Sequence, residues 1–94
     1  MPDSTLNDDA VPTFAVGVKF RFDEVRAMWV LLAPERLFQP DEIAVEILKL
    51  IDGQRSFGAI TDTLASRFQA PRTVIAADVG SLLRELCDRG ALRL

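Results

Sequence analysis

Two prolines bracket a four-residue stretch in the middle of this chain, and they constrain its fold more than any other feature. The segment from Val30 to Gly53 reads VLLAPERLFQPDEIAVEILKLIDG. A solid apolar run stops at Pro34, Arg36-Leu37-Phe38-Gln39 follows, and Pro40 stops that in turn. Proline lacks a backbone N–H and fixes φ, so it confines a strand to a sheet edge or boundary. Asp41 is a good N-cap, and Ile43, Ala44, Ile47, Leu48 and Ile51 then form one apolar stripe at helical spacing. Asp52-Gly53 ends that helix, with glycine supplying the left-handed stop. A short strand is therefore predicted between two prolines, beside an amphipathic helix and with no usual catalytic residue type nearby.

The flanking sequence extends this pattern. Residues 1–16 are polar, carry Pro2 and Pro12 and show no sustained period, which predicts a disordered tail. Gly17 opens the ordered domain, residues 17–94. Val18, Phe20 and Phe22 alternate with charged residues, as in a half-buried strand with its aromatics inward. Asp23 to Arg26 turns the chain, and Ala27 to Leu32 is a second strand, apolar on both faces. After the proline-bounded third strand and the first helix, Ser56 caps a second helix with the stripe Phe57, Ile60, Leu64 and Phe68. Gln69-Ala70-Pro71 is a short turn. Ile75, Val79, Leu82, Leu83 and Leu86 then give the longest helical period of the chain. The fold class that follows is α+β: a winged-helix-like domain with a three-stranded antiparallel sheet followed by three helices.

Charge and composition exclude several functions. All three acidic residues of segment 1–16 (Asp3, Asp8 and Asp9) stand there without a Lys or Arg, so residues 17–94 balance 11 acidic against 11 basic groups. A nucleic-acid binder needs a basic face to displace counterions, and this body has no excess of either sign. No apolar run is long enough to span a membrane. The single cysteine, Cys87, cannot form an intrachain disulfide, which fits the cytoplasm. The chain has no histidine, so Cys87 lacks an imidazole to activate it and reads as a small apolar filler. The same composition argues against a metal site and gives no sign of a cofactor or an enzyme.

The run Leu31-Leu32, Pro34-Glu35, then Ala44, Glu46-Ile47-Leu48 and Asp52-Gly53, with Ile60 and the pair Asp78-Val79 downstream, resembles the PqqD family over roughly residues 17–94. These are small peptide chaperones of pyrroloquinoline quinone biosynthesis. The resemblance implies a winged-helix-like fold and a recognition element for a ribosomally made precursor. It implies that the peptide PqqA is held along the third strand and third helix and presented to the radical SAM enzyme PqqE. Carried over, the strand edge is Arg36, Leu37, Phe38 and Gln39. The wall draws on Ile75, Asp78, Val79, Leu82, Leu83 and Leu86. Two departures stand out. Ala33 occupies a position that is often aromatic in the family, and Pro40-Asp41 replaces a common Leu-Asn. Asp caps as well as Asn, but Pro40 removes a donor and leaves a shorter stretch, or a shifted register, for pairing.

Strand addition needs an unpaired edge, a neighbouring apolar groove and some charge to set register. The third helix is expected to place one edge of its stripe in the core and the adjoining edge in the groove. Plain core is the commoner fate of such a stripe, and a solvated surface is the commoner fate of Arg36 and Asp78. The rival function is a winged-helix DNA-binding transcription regulator, with the third helix as reader. Residues 71–89 carry Arg72, Arg84 and Arg89 against Asp78, Glu85 and Asp88, which sum to zero, and only Arg72 lies near the helix start. A third possibility is a small dimerisation module, and a homodimer is plausible for a chain with an open strand edge.

Overall fold

Antiparallel pairing organises the first half of the chain. The computed structural model describes residues 7–94. Strands β1 (Thr13–Phe14), β2 (Lys19–Asp23), β3 (Met28–Ala33) and β4 (Arg36–Phe38) precede helices α1 (Glu42–Leu48), α2 (Phe57–Phe68) and α3 (Arg72–Asp88), and β5 (Leu92–Arg93) closes the chain. The main sheet has the order β2-β3-β4, antiparallel throughout, and β1 pairs with β5 as a separate ribbon. The expected α+β arrangement, three strands followed by three helices, is the one observed.

Local chemistry explains the turns and caps. Asp23 Oδ1 accepts from the N–H groups of Val25 and Arg26, and Ala27 takes a left-handed φ of 56° to start β3. Pro34 and Glu35 alone connect β3 to β4. Asp41 Oδ1 accepts from Ala44 N–H at 2.8 Å and Ser56 Oγ from Ala59 N–H at 3.1 Å, the N-cap bonds that their positions predict. Gln69 ends α2 in the left-handed conformation.

The core lies between β3 and the three helices. Leu31, Ile47, Leu48, Phe57, Ile60, Leu64, Val79 and Leu83 are all buried there. On the sheet, Phe20 stacks on Trp29 at 4.7 Å, Phe22 meets the same ring edge-on at 5.6 Å, and the Lys49 ammonium lies 5.2 Å above it.

Several sequence expectations are corrected. The first helix ends at Leu48, a turn before Gly53; Lys49 caps it, and Asp52 then accepts from the Gln54 and Arg55 N–H groups in a turn of its own. Gln39 lies just beyond the strand rather than in it. Ile43, Phe68 and Phe22 are exposed: Ile43 and Phe68 stand at the open margins of their stripes, and Phe22 meets the Trp29 ring edge-on without being covered.

The predicted tail is also corrected, for residues 7–16; the rest of it lies outside the described residues. Pro12 is buried, β1 pairs with β5, and Phe14 stacks on Phe20 with ring centres 6.4 Å apart. The carbonyls of Ala10 and Asp8 accept from Phe57 N–H at 2.7 Å and Gly58 N–H at 3.0 Å. Backbone bonding of this kind needs no apolar period, so the sequence pattern did not announce it.

Candidate functional site

The order β2-β3-β4 leaves the outer edge of β4 without a strand partner among the described residues. Ala33 pairs with Arg36, Leu32 with Leu37 and Leu31 with Phe38. Because a two-residue turn closes this hairpin, Ala33 and Arg36 form a hydrogen-bonded pair, and alternation makes Leu32 and Leu37 a non-bonded one. The Leu37 N–H and C=O therefore face the open edge, while those of Arg36 and Phe38 serve the ladder. The exposed edge offers one full donor–acceptor residue before Gln39 and Pro40.

Side-chain alternation sends Phe38 to the opposite face from Leu37. Phe38 is partly buried and packs against the core, whereas Leu37 is 42% exposed. The Arg89 guanidinium lies 5.8 Å from the Phe38 ring centre, and Arg89 also pairs with Glu85 at 3.3 Å. Phe38 thus joins the end of α3 to the strand edge.

Between β4, α1 and α3 runs an open groove of two adjoining cavities. One, of about 200 Å³, is lined by Leu31, Phe38, Gln39, Pro40, Asp41, Ala44, Leu48, Leu82, Glu85 and Leu86. The other, of about 350 Å³, is lined by Asp41, Ile43, Ala44, Ile47, Asp78, Ser81, Leu82 and Glu85. Asp41, Ala44, Leu82 and Glu85 belong to both, so the groove is continuous. Its floor is apolar and its rim carries carboxylates.

The ten residues singled out from the sequence divide across this geometry. Phe38, Gln39, Leu82 and Leu86 line the cavity next to the strand, and Asp78 and Leu82 line the one beside α1. Arg36 and Leu37 stand exposed on the edge strand. Val79 and Leu83, at 1% and 0% exposure, belong to the core, and Ile75 packs against it without lining either cavity. The helix stripe is thus core on one side and groove on the other. The contribution of α1 was missed: Asp41, Ile43, Ala44 and Ile47 form the facing wall. Ala44, the one small residue of the first helical stripe, was the available signal, since a small side chain leaves room.

A further concavity of about 600 Å³ lies on the other side of α1, between Met28 and Trp29 of β3 and Arg67 and Phe68 of α2. Pro40 and Ile43 form the ridge that separates it from the groove. Electrostatics around the fold are mild. Burial pushes the Cys87 thiol above its ordinary range, which suits an inert core neighbour. No group of three or more His, Cys, Asp or Glu residues among the described ones is arranged to hold a metal ion.

Residues 28–92 match the family model of coenzyme PQQ synthesis protein D, PqqD. The chain belongs to the PqqD family. It is 50% identical over 88 residues to the PqqA binding protein of Rhodopseudomonas palustris strain HaA2, spanning 94% of this chain and 86% of that protein. It is 45% identical to the PqqA binding protein of Gluconobacter oxydans over 90% of this chain and 88% of that one. Among solved PqqD structures, the solution structure of the PqqD truncation of Methylobacterium extorquens PqqCD matches with a TM-score of 0.80 and 38% identity, covering 97% of both chains. That protein is described as a functional, stand-alone recognition element for ribosomally synthesised, post-translationally modified peptides. The crystal structure of PqqD from Xanthomonas campestris matches with a TM-score of 0.61 and 39% identity, covering 96% of this chain and all of that one.

Proposed function

We propose that this PqqD-family chain is a non-enzymatic peptide chaperone of pyrroloquinoline quinone biosynthesis. It binds a PqqA-type precursor by strand addition at β4 and presents it to a modifying enzyme of the PqqE class, in the cytoplasm. The observation that carries this reading is the coincidence of an open edge with a groove. Leu37 offers its backbone N–H and C=O outward, and Phe38, Leu82 and Leu86 line the apolar cavity next to it. Main-chain bonds supply affinity, and the cavities receive alternate side chains of the added strand. The names of the relatives, PqqA binding proteins, support the same ligand. Pro40 ends the pairing, so β4 cannot serve as a long template for other chains.

The DNA-binding alternative is disfavoured by where Arg72 goes. It is the basic residue at the start of α3, and Asp62 and Asp8 both engage its guanidinium. A reading helix would need that side chain free for a base or phosphate. A homodimer built on the β4 edge would occupy the surface the peptide needs, so the two states should compete.

The test is an NMR titration of the labelled protein with a synthetic PqqA peptide. The amides of Arg36 to Gln39 and of Ile75 to Leu86 should shift most. Shifts clustered instead around Trp29, Lys49 and Phe68 would move the site to the opposite concavity and sink the strand-addition reading.

A further inference from the structure

Helix α3 walls the groove, yet nothing in its own sequence fixes its start. Pro71 stands at the N-cap and provides no side-chain bond to the first turn. Asp62 of α2 engages the guanidinium of Arg72, and further anchors at both ends of α3 come from residues 8–15. At one end, Asp8 Oδ2 lies 3.4 Å from the guanidinium of Arg72, the first residue of α3. At the other, β1 pairs with β5, and Ala15 N–H donates to Ala91 C=O at 3.0 Å, just past the helix end at Asp88. Asp8 and Asp9 lie in a turn closed by the Ala10 N–H to Asn7 C=O bond at 2.9 Å, and the chain runs from there through β1 toward β5.

The segment is seated, not merely adjacent. Phe57 and Gly58, the first residues of α2, donate their N–H groups to Ala10 and Asp8 carbonyls, filling two of the bonds a helix start leaves open. Glycine at 58 suits this close approach: a Cβ there would lie 3.2 Å from both Cβ and the carbonyl oxygen of Asp8, so Asp8 would have to give by a few tenths of an ångström.

We propose that residues 8–15 are a positioning strap for the peptide groove. By holding α3 at Arg72 and again beyond Asp88, they set where Asp78, Leu82 and Glu85 stand relative to α1 and β4. None of the strap residues lines the groove, so they act through α3 and not by touching the peptide. This proposal rests on the groove being the peptide site.

Linkage supplies a test in the unmodified protein. If the strap favours the binding-competent position of α3, peptide binding must favour the docked strap by the same factor. Saturating PqqA peptide should slow hydrogen exchange of the Phe57 and Gly58 amides, which donate to the strap and lie outside the groove. A second measurement uses Gly58→Ala, which crowds Asp8 at its seat on α2 while improving the helix propensity of α2. That variant should keep its helical circular dichroism and bind the peptide about threefold more weakly or worse, as expected when the competent state falls to a third of the population. Removal of residues 1–10 should have at least the same effect; should that chain not fold, Gly58→Ala decides. Unchanged exchange at Phe57 and Gly58, together with wild-type affinity in Gly58→Ala, overturns the strap while leaving the groove reading intact. Peptide-induced shifts that miss both β4 and α3 in the wild type overturn the groove reading, and the strap proposal with it.

Discussion

Replacing Leu37 by proline removes the one backbone donor that β4 turns outward, and little else. The Leu37 N–H faces the open edge, so no bond to β3 is lost. Its side chain is 42% exposed, so little buried surface disappears. A paired backbone hydrogen bond contributes about 0.5–1.5 kcal/mol net. Its loss should weaken PqqA peptide binding by roughly two- to thirteenfold, at about 1.4 kcal/mol per factor of ten. The proline ring also occupies the approach of the incoming strand, which pushes the result toward the upper end. Phe38→Pro is the informative contrast: it removes a donor that serves the ladder with Leu31 and takes away a ring that lines the groove. It should lower thermal stability as well as affinity. Leu37→Ala, which keeps the N–H, should bind nearly as wild type. Isothermal titration of the three variants, with melting curves for each, separates the effects. Wild-type affinity in Leu37→Pro would refute strand addition at this edge.

Other consequences follow from packing and charge. Leu82→Arg places a charge on the groove wall and should weaken peptide binding without unfolding, because Leu82 is only partly buried, and anisotropy with a labelled peptide reads this directly. Ile60→Ala and Leu83→Ala, both at 0% exposure, should each cost about 2–5 kcal/mol in denaturant unfolding. Removing residues 1–12 deletes two backbone bonds to α2 and the buried Pro12; about 2–3 kcal/mol is expected, lowering Tm by roughly 8–24 °C in a calorimetric scan. The Arg55 and Gln54 N–H groups hold the Asp52 carboxyl below its ordinary value of 3.8. Its folded pKa is depressed, so its stabilising contribution is full above the unfolded value and is lost as pH falls through the folded one. Asp52→Asn keeps an oxygen acceptor, so it should flatten the melting-temperature profile below about pH 4.

Helix caps, stripes and turns were legible because each depends on neighbours in sequence. Asp41 and Ser56 cap where they stand, the Ile60 and Leu64 stripe is buried, and Asp23 to Arg26 turns the chain. Elements failed at their margins. Ile43 and Phe68 keep helical spacing, yet burial needs a packed neighbour, and both line the open concavity between β3 and α2 instead. The lining of the candidate groove was half legible for the same reason. Phe38, Asp78, Leu82 and Leu86 came from the strand and helix pattern together with a family resemblance. Their facing wall, from Asp41 to Ile47, depends on how α1 leans toward α3.

By itself, the sequence determined the proline-bounded edge strand, the three helices and the charge balance of residues 17–94, since propensity, capping and charge are local or additive. Tertiary structure alone decided which side of the α3 stripe is core and which is groove, because burial depends on what packs opposite. It also decided that residues 7–16 belong to the fold. Their attachment runs through backbone carbonyls and a short ribbon with β5, and such bonds can be made by almost any side chains.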